Sequence, residues 1–182
     1  MTARSAVPNL ITLVRLAMTP FVIQAILRAD YGVALALFIG AGVTDLLDGA
    51  AARRLKASSR SGAYLDPVAD KLLLSGVYLA LVWGGTVPWW FVALLLGRDL
   101  FILAGSAILM MVKKFRDFPP SVWGKACTFS QILAASAWMV RNWTPSPAMD
   151  AAATALLWIS AAVTVWSGID YAHRGTRMLK VN

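Results

Sequence analysis

Long apolar runs alternate with short polar connections along the whole chain. Spanning a bilayer as a helix takes about 20 mostly apolar residues, and six runs approach or reach that length. Glycine and proline mark several of the boundaries. The six runs cover residues 8–29, 33–54, 67–84, 88–112, 124–141 and 150–172. This pattern predicts an all-α, polytopic membrane protein with six transmembrane helices, built as one domain over residues 1–182.

The composition agrees with a membrane protein. Hydrophobic residues make up 59% of the chain and charged residues 14%, against about 25% charged in a soluble domain. These values exclude a disordered chain and argue against a soluble enzyme. The formal charge is +8, but the basic residues follow or precede apolar runs, which favours a basic membrane face over nucleic-acid binding. The single cysteine, Cys127, excludes a disulfide framework and a cysteine-based metal site.

The distribution of basic residues predicts the orientation. Lys and Arg collect on the cytoplasmic side of membrane proteins. One set of connections is rich in them, whereas the other has little beyond Arg28 and Arg141. Both termini are therefore expected in the cytoplasm. The first run is expected to stay in the protein, because Arg15 interrupts it and Arg28-Ala29-Asp30 is a poor signal-peptidase site.

Four aspartates lie close together in the sequence, at the cytoplasmic ends of the second and third runs. Asp45 and Asp48 are three residues apart, and Asp66 and Asp70 are four apart. Residues at these spacings share a helix face, so each pair is able to point at one site. The connection over residues 53–64 is short, so the two helices are expected to be antiparallel neighbours whose four carboxylates converge.

Placing clustered carboxylates inside a membrane is unfavourable in free energy unless cations neutralise their charges. Oxygen ligands without His or Cys suit Mg²⁺, Mn²⁺ or Ca²⁺, and two divalent ions bridged by shared carboxylates satisfy such a cluster. Two other interpretations stay open. The aspartates either pair with basic neighbours in a solvated corner, or form the ion site of a small transporter. The second is disfavoured because the acids gather at one end of otherwise apolar segments. The basic neighbours are Arg53, Arg54, Arg60 and Lys71.

Small residues and one arginine surround the aspartates. Glycine in a membrane helix permits close approach of another backbone or a ligand, and Arg53 is placed to pair with a phosphate. The full pattern is Asp45-x2-Asp48-Gly49-x2-Ala52-Arg53-x8-Gly62-x3-Asp66-x3-Asp70. It resembles the signature of the CDP-alcohol phosphotransferases, with eight positions at fixed spacing. Upstream, Pro8-Asn9-x2-Thr12-x2-Arg15 resembles a box of the phosphatidylglycerophosphate and cardiolipin synthase branches.

This resemblance implies a six-helix membrane enzyme, usually a homodimer, whose active site opens to the cytoplasm. It implies transfer of a phosphatidyl group from CDP-diacylglycerol to an alcohol, with release of CMP. Asp70 would be the general base. The metal ligands for two Mg²⁺ or Mn²⁺ ions would be Asp45, Asp48, Asp66 and Asp70. The CDP-diacylglycerol site would comprise Asp48, Gly49, Ala52, Arg53, Gly62, Asp66, Asn9 and Thr12.

The acceptor alcohol is expected to bind polar residues of the later helices. Arg98 lies inside the fourth run, where a buried arginine is costly without a function, although Asp99 offers a purely structural partner. Lys125 begins the fifth run. Arg98 and Lys125 are therefore the candidates for binding an acceptor phosphate.

Two departures from the pattern of the phosphatidylglycerophosphate synthases bear on which alcohol is used. The segment Gly124-Lys125-x2-Thr128-x2-Gln131 is similar to a box of both synthase branches, and its polar residues are expected on one helix face. Many phosphatidylglycerophosphate synthases have a second Lys at the position of Cys127 and Glu at that of Asp99. Phosphatidylglycerol is therefore the expected acceptor, with glycerol 3-phosphate as the alternative.

Overall fold

Six helices form the described part of the chain. A computed structural model describes the backbone of residues 3–55, 62–113 and 121–180, and the side chains of residues 14–44, 69–108 and 121–176. Within these residues there is no strand, so the all-α prediction is confirmed. The helices are α1 (Ala3–Leu27), α2 (Tyr31–Leu55), α3 (Gly62–Trp83), α4 (Trp89–Lys113), α5 (Val122–Trp143) and α6 (Pro147–Lys180). Lys56, Arg60, Lys114 and Arg116, on which the predicted orientation partly depends, lie outside the described residues.

Several helices are longer than the apolar runs that predicted them. The run expected from residue 67 begins at Gly62 in α3, and the last run continues to Lys180 in α6. Polar and charged residues extend these helices because the backbone hydrogen bonds do not depend on side-chain hydropathy. Side chains cap three of the described starts: Asp30 accepts a hydrogen bond from the Val33 amide (3.4 Å), Ser121 from the Gly124 amide (2.9 Å) and Ser146 from the Met149 amide (3.2 Å).

The chain groups into two compact units. The first contains Met1–Val87 together with Trp138–Pro145. Within it, α1 packs against both α2 and α3. The core of this unit is apolar and fully buried at Val22, Val77 and Leu81. Thus α1 contacts both helices that carry the aspartate motif.

The second unit contains Pro88–Ala137 and Ser146–Asn182. Here α4 and α6 run parallel to each other. Residues early in α4 lie beside earlier residues of α6, and later residues of α4 lie beside later residues of α6. The Trp90 and Trp158 rings lie 5.1 Å apart between centroids, and further along a Cβ on Gly105 would lie 3.4 Å from the Tyr171 ring. On α5, Cys127 contacts α6.

Six membrane spans are not confirmed. Over the described side chains, two helical stretches are long and apolar enough to cross a membrane, Trp89–Ile108 and Pro147–Thr176. The apolar stretches Val14–Leu27 and Tyr31–Thr44 are shorter, because described side chains begin at residue 14 in α1 and end at residue 44 in α2. Large apolar side chains are nevertheless exposed throughout, including Trp83 at 79%, as expected of a surface that contacts lipid.

Candidate active site

An ion pair joins the last residue of the aspartate motif to the first helix. The Arg15 guanidinium donates a hydrogen bond through Nη1 to Oδ1 of Asp70. Arg15 on α1 is 2% exposed, whereas the Asp70 side chain on α3 is 46% exposed. A buried cation therefore holds a carboxylate that remains accessible. The pairing fixes the position of the Asp70 carboxylate on α3.

Close packing of α1 and α3 brings this pair together. A Cβ on Gly76 of α3 would lie 2.8 Å from Cδ1 of Ile23 on α1 and 3.8 Å from Cγ2 of Thr19. A side chain at position 76 would therefore displace Ile23. One turn along α1 from Arg15, the Thr19 hydroxyl donates to the Arg15 carbonyl oxygen (2.9 Å). Glycine at position 76 is the local feature of the sequence that permits the Arg15–Asp70 contact.

The structure places the rest of the motif on helices, including Gly62, which was expected in the connection over residues 53–64 and instead begins α3. On α2 lie Asp45, Asp48, Gly49, Ala52 and Arg53; on α3 lie Gly62 and Asp66; on α1 lie Asn9 and Thr12. The side chains of these residues lie outside the described ones. The convergence of the four carboxylates and the CDP-diacylglycerol contacts therefore stay predictions.

The donor set fits a divalent cation by its chemistry. The motif offers carboxylate oxygens, which suit hard cations such as Mg²⁺ or Mn²⁺. Of the predicted ligands, Asp70 alone has a described side chain, and its partial exposure leaves the carboxylate reachable from outside the helix packing. Among the described side chains there is no group of three His, Cys, Asp or Glu residues, and the three remaining predicted ligands are not among them.

A second polar site lies in the other unit, around Arg98 of α4. Its Nη1 donates to Oδ1 of Asp99 at 2.9 Å, and its Nη2 donates to the Ser167 hydroxyl on α6. A Cβ on Gly124 of α5 would lie 3.6 Å from Nη2. The structural pairing of Arg98 with Asp99 is thus present. The guanidinium also lies beside Gly124 in the first turn of α5, the residue that precedes Lys125 in the sequence.

The polar residues of α5 do not share one face. Lys125 and Thr128 are exposed, but Gln131 is 5% exposed and donates to the Cys127 sulfur at 3.2 Å. Lys125 and Gln131 are six residues apart, which places them about 120° apart around the helix axis. Gln131 therefore faces inward. Cys127 is fully buried and lies 3.4 Å from the Thr164 hydroxyl. Position 127 is therefore an interior position, where cysteine packs without introducing a charge.

Sequence reasoning missed two side-chain contacts of the candidate sites. Arg15 was assigned to an N-terminal box without its partner, although an arginine inside an apolar run signals that a partner exists. Ser167 was not singled out, because one serine in a long apolar helix carries no sequence signal until Arg98 is placed beside it.

Comparison with known proteins gives a consistent result. A family model described as CDP-alcohol phosphatidyltransferase matches residues 5–166. A Mycobacterium tuberculosis protein named "Putative cardiolipin synthase" is 35% identical over 179 residues, 96% of this chain and 84% of that protein. A second protein from the same species, named "Probable phosphatidylglycerophosphate synthase", is 33% identical over 176 residues, 93% of this chain and 81% of the relative. The Escherichia coli CDP-diacylglycerol–glycerol-3-phosphate 3-phosphatidyltransferase is 34% identical over 172 residues, 91% of this chain and 92% of that enzyme.

Proposed function

This chain belongs to the CDP-alcohol phosphatidyltransferase family, and from that premise we propose that it is a cardiolipin synthase. It is a phosphatidyltransferase of phospholipid synthesis. The proposed reaction transfers the phosphatidyl group of CDP-diacylglycerol to phosphatidylglycerol and releases CMP. The observation that carries the proposal is the accessible Asp70 carboxylate held by buried Arg15 at the end of the aspartate motif.

Asp70 acts as the general base in this proposal. The acceptor hydroxyl loses its proton to the Asp70 carboxylate as its oxygen bonds to the phosphorus that carries diacylglycerol. The bond between that phosphorus and the CMP oxygen breaks, and CMP leaves with the electron pair. A positioned carboxylate typically contributes about 10²–10⁴-fold to such a proton transfer. Arg15 contributes by fixing the direction of the carboxylate.

Two divalent cations, Mg²⁺ or Mn²⁺, are proposed at Asp45, Asp48, Asp66 and Asp70. When bound, they would supply positive charge to the diphosphate and the leaving CMP. Arg53 is proposed to bind a phosphate oxygen of the donor, because a guanidinium matches phosphate geometry. The remaining donor contacts are proposed for Gly49, Ala52, Gly62, Asn9 and Thr12.

The site around Arg98 supports phosphatidylglycerol as the acceptor. Arg98 already pairs with Asp99, which offsets its positive charge, and Lys125 directly follows Gly124, whose Cβ position lies beside the guanidinium. A phosphodiester carries one negative charge, whereas glycerol 3-phosphate carries about two at neutral pH. The buried Cys127 adds no charge where other synthases have Lys. The relatives' names favour neither acceptor, since their identities to this chain are 35%, 33% and 34%.

The enzyme is further proposed to be an integral membrane homodimer with its termini and active site in the cytoplasm. The family is associated with membranes, and two apolar helices of spanning length support insertion. The basic connections predict the orientation.

The decisive experiment measures CMP release by the purified protein. It receives CDP-diacylglycerol and Mg²⁺, with either phosphatidylglycerol or glycerol 3-phosphate. Release with phosphatidylglycerol, together with cardiolipin as the lipid product, supports the proposal. Release with glycerol 3-phosphate alone would assign the alternative activity. A chelator in excess of Mg²⁺ is expected to abolish release, and Mn²⁺ to restore it.

A further inference from the structure

A groove of about 480 Å³ lies between the parallel helices α4 and α6 of the second unit. Its α4 wall extends from Ala93 to Phe101, which at 1.5 Å per residue is about 12 Å. Most of its lining side chains are apolar, and small residues open the space. A Cβ on Gly97 would meet no atom within 4 Å. The groove thus has the volume and the apolar lining to hold a hydrocarbon chain.

One charged residue, Arg98, lines this groove. Its Nη1 and Nη2 donate to Asp99 and Ser167. Its Nε is buried and has no hydrogen-bond partner among the described residues. Buried donors are nearly always paired, and a guanidinium has five N–H groups to satisfy. The guanidinium therefore has the capacity to bind an anion at the groove.

We infer that the α4–α6 groove holds an acyl chain of the acceptor phospholipid, with the phosphodiester of that lipid at Arg98. The inference rests on the proposed function and deepens it. It predicts that the enzyme distinguishes its acceptors by chain as well as by headgroup.

The charges and the shape of the site select this occupant. Arg98 is the charged residue of the groove lining, and its guanidinium complements the single negative charge of a phosphodiester. The Asp99 carboxylate accepts hydrogen bonds, as the hydroxyls of a glycerol headgroup require. A glycerol 3-phosphate molecule has no chain and would leave the apolar groove unfilled. An acyl chain buries apolar surface there, and each methylene that leaves water strengthens binding.

Two substitutions on opposite walls test the groove. Gly97→Leu on α4 and Ala172→Leu on α6 fill it, and neither introduces a poor helix former. Ala107→Leu, at an exposed position of α4 outside the groove, is the matched control. CMP release is measured with dioleoyl-phosphatidylglycerol and with glycerophosphoglycerol, which has the same phosphodiester headgroup but no acyl chain, at a fixed concentration of one CDP-diacylglycerol. Both groove variants should raise KM for the dioleoyl acceptor at least about tenfold and change KM for glycerophosphoglycerol much less. Ala107→Leu should match the wild type with both.

Other occupants give different results. Equal losses with both acceptors, or no loss relative to Ala107→Leu, would overturn the inference while cardiolipin synthesis itself stood. A variant effect that depends on the chain length of CDP-diacylglycerol would assign the groove to the donor. A change in oligomeric state in size-exclusion chromatography would assign it to a second copy of the chain. If the wild type used glycerol 3-phosphate and no phosphatidylglycerol, the proposed acceptor would be wrong and the inference would fail with it.

Discussion

At the scale of single residues, the proposed chemistry depends on the Asp70 carboxylate and on the Arg15 guanidinium that holds it. Asp70→Asn replaces the base by an amide of the same shape. The amide oxygen still accepts a hydrogen bond from Arg15, so the fold should persist. The rate of CMP release should fall about 10²–10⁴-fold, measured beside a thermal unfolding curve. Wild-type rates in this variant would exclude Asp70 as the base.

Arg15 is a positioning residue, and its role is separable from its charge. Arg15→Lys keeps the charge but loses the planar fork that fixes a carboxylate. We expect kcat to fall while KM for CDP-diacylglycerol changes little, and Arg15→Met to lower kcat further. The effects should not add. In the Asp70→Asn background, Arg15→Lys should cause no further loss of kcat. An additive loss would show that Arg15 acts elsewhere.

At the scale of the helices, two of the described connections contain a residue with left-handed backbone, and the two residues differ in how well they suit that conformation. Ala29, between α1 and α2, has φ of 60°, and Gly85, between α3 and α4, has φ of 70°. A Cβ disfavours this region by about 1–2 kcal/mol, and one on Gly85 would meet no atom within 4 Å. Ala29→Gly should therefore stabilise the protein and Gly85→Ala should destabilise it, each by about 1 kcal/mol. Reversible unfolding of the two variants measures both signs, and the same sign for both would contradict the backbone argument.

The helices themselves were predictable from the sequence, but their contacts were not. Six apolar runs predicted six helices because apolarity over about 20 residues is a strong signal. The periodicity within one run does not show which other helix packs against that run. The Arg15–Asp70 pair, 55 residues apart, is therefore visible only in the three-dimensional structure. The burial of Gln131 shows the same limit, since its spacing from Lys125 placed it on the wrong face. The aspartate motif was identifiable because its eight positions depend on local spacing.

At the scale of the whole molecule, the distribution of charge predicts how the enzyme lies in the membrane. A green fluorescent protein fused after residue 182 should fluoresce, because both termini are expected in the cytoplasm. Alkaline phosphatase fused after Thr144, at the end of α5, should be active, because that connection is expected outside. The reverse pair of results would contradict the orientation.

The burial of Cys127 has a practical consequence for following the motion of this protein. It is the single cysteine of the chain, it is fully buried, and it lies against Thr164 of α6. A thiol reacts with an alkylating reagent only when the reagent reaches it, and regions of a folded protein open locally at their own rates. The rate at which Cys127 of the unmodified enzyme is alkylated therefore measures how often α5 separates from α6. Slower alkylation in the presence of phosphatidylglycerol would show that the acceptor closes that part of the molecule, and the measurement needs no engineered cysteine.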